Sequence, residues 1–264
     1  MEYRYTNRDM ETVTGEPARQ HLLKTNDKEF LSPERGVVAV SHERWQIAQD
    51  AESHGWMDIW RDVIEDRNHH HFVTFDYLQM LNDRTFARAM ELGCGPFTNM
   101  RYAAHALKPK SIELLDPLMP RYMEHQHCSY RTGRLRLFDG QMVPIAACWA
   151  MPIEDFRAEA PYDLVLLINV IEHCIDVDLI FTRVWEMLAP GGVFIFHDRY
   201  YDAAEIAATI LTEYDTAHPI KADRRVIDQF LDRFKLIFSR TTTTRGRPMF
   251  TSTGDAVYFV GEKP

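Results

Sequence analysis

Gly93 and Gly95 sit in the run Met90-Glu91-Leu92-Gly93-Cys94-Gly95-Pro96, between an apolar-leaning stretch, Phe86 to Leu92, and a helical pattern, Met100 to Leu107. A strand that turns on two glycines into a helix brings bare backbone against a ligand, because neither residue carries a Cβ. N–H groups at the start of such a helix favour a carboxylate or a phosphate. Asp116 ends the next strand-like run, Ser111 to Leu115, 21 residues beyond Gly95. At the tip of a neighbouring parallel strand, an acid near that spacing accepts two hydrogen bonds from a ribose diol. Two histidines add proton chemistry near neutral pH. His173 closes the run Asn169-Val170-Ile171-Glu172-His173, and His197 stands before Asp198, directly after Val193 to Phe196. Ligands of open α/β sheets bind outside the carboxyl ends of the strands, so His173 and His197 are expected to face one crevice. His197 and His173 are the candidate general bases, with Asp198 as an orienter or base.

The elements that must position these residues alternate strand and helix. Strand-like runs end at Leu92, Leu115, Trp149, Ile168 and Phe196. The run Asp163 to Ile168, apolar after its first residue, reads as a strand buried on both faces. Helical patterns cover Met100 to Leu107, Arg121 to Tyr130 and Asp178 to Leu188, the last stopped by Pro190-Gly191-Gly192. Ala203 to Leu211 and Arg225 to Phe234 are also helical, and Phe234 to Ser239 and Ala256 to Val260 read as the last two strands. Upstream, residues 1–40 form a polar arm broken by Pro17 and Pro33. Ser41 then caps a helix that places Trp45, Ala48, Gln49, Glu52 and Trp56 on one face, with Gly55 interrupting it. Asp58 to Asp66 and Phe75 to Leu81 continue the helical pattern. The chain therefore divides into an N-terminal arm and helical lid, 1–80, and a core, 81–264, with a helical insertion at about 200–233.

Composition narrows the class. With 45% apolar residues in 264, the chain can bury a sizeable core. It has no apolar run long enough to span a bilayer, and its first residues lack an apolar signal segment. Cys94, Cys128, Cys148 and Cys174 show no Cys-x-x-Cys spacing, which points to reduced thiols and a cytoplasmic location. A net charge of −9 counts against nucleic acid or an anionic membrane as the main partner. Neither His69-His70-His71 nor His125-x-His127-Cys128 reads as a metal site, because adjacent side chains diverge and no further ligand stands nearby.

The motifs together resemble the class I S-adenosylmethionine-dependent methyltransferases. They are Glu91-x-Gly93-x-Gly95, Tyr162-Asp163-Leu164-Val165, Asn169 to His173 and Leu188-Ala189-Pro190-Gly191-Gly192, in the family's order across roughly residues 85–200. The resemblance implies an α/β fold: a Rossmann-like, seven-stranded, mostly parallel sheet with a C-terminal antiparallel hairpin and an N-terminal helical lid. It implies S-adenosyl-L-methionine as cofactor, S-adenosyl-L-homocysteine as product, and no metal. The cofactor contacts it implies are Glu91, Gly93, Gly95, Asp116, Pro117, Ile153, Glu154 and Asn169. Ile153 and Glu154 match the adenine-flanking position best, with Ala150 and Met151 as alternatives, and Pro152 stands where the family often has an acid.

The acceptor implied is a small molecule, and a hydroxyl of a sugar or other natural product is favoured. The Trp45-Gln49-Glu52-Trp56 face and His218-Pro219 look like features of methyltransferases acting on sugars or glycoconjugates. A second class is a Mg²⁺-dependent RNA-end 2′-O-methyltransferase, because Asn169-x-x-Glu172-His173 is similar to the Glu-x-x-Glu-His metal motif of those enzymes. Asn169 replaces the first carboxylate, and the negative net charge opposes RNA. A third is a non-catalytic S-adenosylmethionine-binding module. A nicotinamide oxidoreductase is disfavoured by the missing third glycine after Gly95. A homodimer is compatible with this reading.

Overall fold

The apolar runs pair into one sheet. The computed structural model describes residues 5–6, 12–13, 31–32, 34–59, 61–62, 68, 71, 76–209, 213–243 and 255–264. Seven strands form the core sheet: β1 (Arg88–Leu92), β2 (Ser111–Leu115), β3 (Ala147–Trp149), β4 (Tyr162–Ile168), β5 (Leu188–Arg199), β6 (Lys235–Thr243) and β7 (Asp255–Glu262). Their order is β6-β7-β5-β4-β1-β2-β3. β1 to β5 run parallel, and β7 lies antiparallel to both β5 and β6. The chain reverses its direction of travel across the sheet between β1 and β4, and Leu92 lies opposite Leu167 there. Such a switch point opens a crevice at the strand ends.

Alternation along β4 feeds two cores. Val165 and Leu167 join one apolar cluster with Ile180, Phe181 and Val184 of α3 (Val177–Met187), and Leu164 and Leu166 join another with Met100, Ala103 and Leu107 of α2 (Met100–Leu107). Being buried on both faces explains the unbroken apolar run of β4. α4 (Arg224–Leu231) closes the first core, with Phe230 stacked on Phe181 at 4.1 Å between ring centroids. Asp176 caps α3 by accepting from the Leu179 N–H at 2.9 Å, and Ser41 caps α1 (His42–His54) by accepting from the Arg44 N–H at 3.1 Å. Each cap satisfies a donor that the helix itself leaves unpaired and is worth about 1 kcal/mol.

Some elements differ from the sequence pattern. β5 begins at Leu188, so Pro190-Gly191-Gly192 lies inside a strand rather than only ending a helix. The pairing with β4 jumps there from Tyr162–Leu188 to Leu164–Val193, and Gly191 takes a left-handed φ of 74°. The expected helix Arg121 to Tyr130 is reduced to one turn, Met119–Tyr122, followed by further turns. Arg134–Arg136 and Met142–Pro144 make a separate antiparallel hairpin before β3. Gly55–Ile59 continues α1 as a wider turn, while most of Asp58 to Asp66, and His69 and His70, lie outside the described residues. Gly36–Val37 pairs with Lys221–Ala222, which ties the end of the arm to the segment after β5. Among the described residues no helix is long and apolar enough to cross a membrane.

Candidate active site

The turn after β1 is built from inside. Glu91 is fully buried, and its carboxylate accepts from the Asn99 and Met100 N–H groups at 2.9 and 2.7 Å, from Asn99 Nδ2 at 3.2 Å and from the Thr98 hydroxyl. Burial pushes this carboxyl up to about 7, against the pull of Thr98, Met100 and Asn99. The helix start therefore receives the protein's own carboxyl group, and the expectation that its N–H groups await a ligand's phosphate or carboxylate is corrected. Glu91 stands behind the turn, not among the residues lining the cleft. The Gly93 and Cys94 N–H groups bond the Leu115 carbonyl at 2.8 and 3.1 Å, and Gly95 N–H bonds Asp116 Oδ2 at 2.9 Å. Both glycines take left-handed φ values, 68° and 52°. A Cβ on Gly93 would lie 2.5 Å from the Val170 side chain, whereas one on Gly95 would meet nothing within 4 Å. Gly93 is thus needed for packing against Val170, and the open space belongs to Gly95.

That space is a cleft of about 800 Å³, counting the part open to solvent. Gly93, Gly95, Asp116, Pro117, Ile153, Glu154, Asn169 and His173 all line it, so the structure brings these sequence candidates together. Asp116 is buried, accepts from the Leu118 N–H at 2.8 Å as well as from Gly95, and has its carboxyl pushed up to about 6 by burial. Asn169 adopts a left-handed φ of 59°, which asparagine tolerates better than most residues. Glu154 spends one oxygen on the N–H groups of Ile175 and Asp176, at 2.7 and 3.1 Å, and so braces the start of α3.

The facing wall comes from α1 and the wider turn that continues it. Trp45, Gln49, Glu52 and Trp56 line the cleft. Trp45 Nε1 and Gln49 Nε2 both donate to the His173 carbonyl at 3.1 Å. The His173 ring bonds the Ala217 carbonyl through Nδ1 at 2.9 Å and lies 4.6 Å from the His218 ring, centroid to centroid. Burial opposes charge on His173, but Glu52 and Glu172 outweigh it and raise its pKa.

The structure does not bring His197 into the cleft. Alternation along β5 puts it on the same face as Val193 and Ile195, where its ring packs against Tyr258 at 4.1 Å and His71 at 4.5 Å. Asp198 points the other way and is spent on backbone. It accepts from Val170 and Ile171 N–H at 3.0 and 2.8 Å and from its neighbour Arg199 N–H at 2.8 Å. Both residues shape the strand ends; His173 is the sequence candidate for proton transfer that reaches the cleft.

Sequence reasoning missed the group that holds this wall. Arg44, Asp215 and Lys221 are fully buried, with Arg44 bonded to the Asp215 and Thr216 carbonyls and Lys221 to the Asp215 carboxylate and the His218 carbonyl. Arg44 and Asp215 are 171 residues apart, and no local pattern announces such a pairing.

Residues 90–196 match a family model described as a methyltransferase domain. Among curated proteins no sequence matches. Among solved structures the chain is similar to N-methyltransferase NodS from Bradyrhizobium japonicum WM9 in complex with S-adenosyl-L-homocysteine. The TM-score is 0.55 at 18% identity, over 84% of this chain and 98% of that one. It is also similar to TehB from Haemophilus influenzae, with TM-score 0.54, 10% identity, and 80% and 67% coverage. The 1,6-didemethyltoxoflavin-N1-methyltransferase of Burkholderia thailandensis gives 0.50 and 15% over 89% and 97%. At these identities the structural likeness speaks to the fold. The sheet order, the glycine turn and the match of residues 90–196 to the methyltransferase domain agree, and the chain has the Rossmann-like fold of the class I methyltransferases.

Proposed function

We propose that the chain transfers a methyl group from S-adenosylmethionine to a hydroxyl of a small-molecule acceptor, a sugar or another natural product. The observation that carries the cofactor assignment is the fate of the turn's amides. The N–H groups of Gly93, Cys94, Gly95, Asn99 and Met100 are all consumed by internal bonds, two of them by Glu91. A pyrophosphate would find these donors taken, which argues against a dinucleotide. What the turn offers instead is open space at Gly95 beside the Asp116 carboxylate, suited to a ribose diol on a cofactor without phosphates. Gly93, Gly95, Asp116, Pro117, Ile153 and Asn169 would hold that cofactor, with Glu91 bracing the turn and Glu154 the wall beside it. When bound, the cofactor supplies an electrophilic methyl carbon.

The acceptor enters against Trp45, Gln49, Glu52, Trp56 and His173, and α1 serves as a lid over the loaded cleft. Aromatic rings beside polar side chains suit a polyhydroxy or aryl acceptor. Holding the acceptor in line accounts for much of such a rate, and its proton leaves at the His173 wall. Buried, unpaired thiols at Cys94, Cys128 and Cys174 fit a reducing cytoplasm.

A turnover screen against sugars, sugar nucleotides, phenols, amines and carboxylates, read by product mass, tests the acceptor class. The reading expects hydroxyl compounds to gain one methyl group. Gain confined to amines would move the activity to N-methylation, which the carboxylates of Glu52 and Asp116 in the cleft would accommodate.

A further inference from the structure

Beside the cleft, Glu172, His173 and His218 each offer one ligand atom, and these atoms lie within 4.8 Å of one another. We propose that they bind a divalent first-row transition-metal cation, and that this cation presents the acceptor hydroxyl to the methyl donor. The second part rests on the function proposed above; the binding of the ion does not.

The donor set is two imidazoles and one carboxylate, with the rest of the coordination sphere open. Three protein ligands and an open side are the pattern of catalytic rather than structural sites. Nitrogen donors favour Mn²⁺, Fe²⁺, Co²⁺ or Zn²⁺ over Mg²⁺, which prefers oxygen. Ligand bonds of about 2.0–2.2 Å at tetrahedral angles put donors roughly 3.3–3.6 Å apart. From a spacing of up to 4.8 Å the side chains would close by about an ångström on binding the ion, a change within reach of side-chain rotation.

The surroundings are those of a ligand set. A backbone carbonyl can only accept, so His173 Nδ1 carries the proton in its 2.9 Å bond to Ala217. That bond fixes the tautomer and leaves the Nε2 lone pair to bind. Glu172 is tied through Oε2 to the Tyr201 hydroxyl at 2.8 Å, while its Oε1 is the oxygen 3.8 Å from His218 Nε2. The His173 and His218 side chains keep 17% and 19% of their surface exposed, so the site opens outward, and His173 also faces the cleft.

The positioning of His218 has a cost that a mere loop would not require. Its carbonyl accepts from Lys221 Nζ at 2.7 Å, and Lys221, Asp215 and Arg44 form a fully buried charged cluster beneath it. Buried ion clusters are often no more stabilising than apolar side chains of the same volume. Here the cluster sets the place of a residue 45 positions away in sequence from its partner His173. With the cation bound, His173 would serve as a ligand rather than as the proton acceptor of the metal-free reading; an acceptor hydroxyl on the cation would instead lose its proton to water and keep the O–H electron pair, making it a far better nucleophile at neutral pH.

The test is a Co²⁺ titration of the full chain after chelator treatment, without donor or acceptor, followed by visible absorption. One Co²⁺ per chain with visible d–d bands is expected. Glu172→Gln and His218→Ala should each weaken uptake at least tenfold, while S-adenosylhomocysteine affinity, measured in parallel, stays within about twofold of wild type. Tyr201→Phe, which keeps the ring, should weaken uptake less than either. If a variant no longer binds S-adenosylhomocysteine it has lost its fold, and Tyr201→Phe and the wild-type stoichiometry decide. No saturable uptake by the wild-type chain, or wild-type affinity in folded Glu172→Gln and His218→Ala, overturns the proposal and leaves the methyltransferase reading standing. Co²⁺ uptake without S-adenosylhomocysteine binding would do the reverse.

Discussion

The wall that carries Gly93, Gly95 and Asp116 is made from two neighbouring parallel strands, and the amide–carboxylate bond that joins them spans 21 residues. The opposite wall hangs Trp45 and Gln49 on the His173 carbonyl across 128 and 124 residues, and brings Ala217 to the same histidine's ring across 44. The first wall is fixed by strand pairing, which the core must form in any case. The second depends on contacts between segments with no common element. On the function proposed above, the first kind of wall would hold the cofactor and the second would select the acceptor, where a change of segment need not disturb the sheet.

The largest effect should come from Gly93→Val. A β-branched residue at φ 68° is strained, and its Cβ would overlap Val170, so a cost of at least about 3 kcal/mol is expected. Thermal melting should show a destabilised chain, and S-adenosylhomocysteine binding should be lost with it. Gly95→Ala separates packing from ligand contact, because its Cβ enters open space. It should fold yet bind S-adenosylhomocysteine more weakly; unchanged affinity would mean that the ligand does not lie on this turn.

Next comes the buried anchor. Glu91's folded pKa of about 7 lies above its ordinary 4.5, so its stabilising contribution is complete below about 4.5 and is lost as pH rises through 7. A gap of about 2.5 units corresponds to roughly 3 kcal/mol. The ligand-free chain should therefore melt at a higher temperature near pH 5 than near pH 8, and Glu91→Gln should flatten that difference. Parallel pH profiles for the two proteins would show that Glu91 ionises in the fold as it does in water.

Trp45→Phe probes the other wall more gently. It keeps an aromatic ring but removes the donation to the His173 carbonyl, worth about 1 kcal/mol, together with part of the buried indole. The expected outcome is a several-fold lower kcat with S-adenosylhomocysteine affinity unchanged. Equal losses in both would show that α1 supports the cofactor wall too. His197→Asn should matter least to chemistry: a moderate loss of melting temperature from the His71–Tyr258 packing, and turnover within about twofold. A hundredfold loss of single-turnover rate would restore His197 as a base.

The legibility of the sequence follows the same division. β4 announced itself because burial on both faces forces an unbroken apolar run, and Gly93, Gly95 and Asp116 because turn and strand-tip chemistry are local. The direction of His197 was not legible from its position after Phe196, because strand alternation decides it: residues 193, 195 and 197 share a face, and there His197 packs on Tyr258 instead of lining the cleft. Asp198 carried a charge that suggested chemistry, yet its carboxylate meets three backbone N–H groups. His218 stood out only as His218-Pro219, and its meeting with Glu172 and His173 depends on the buried Arg44–Asp215–Lys221 cluster, which no periodicity encodes.

The central claim is that Asp116 and the glycine turn hold S-adenosylmethionine, and titration calorimetry with S-adenosylhomocysteine on wild type and Asp116→Ala tests it most directly. The account predicts one-to-one binding by the wild type. Loss of the charged hydrogen-bond acceptor should weaken it by about 1–3 kcal/mol, roughly 5- to 150-fold. Because the Asp116 carboxyl titrates at about 6, wild-type affinity should also fall as pH drops below that value, and the variant should lose this dependence. Equal affinity in the two proteins, or heat from NAD and none from S-adenosylhomocysteine, would contradict it.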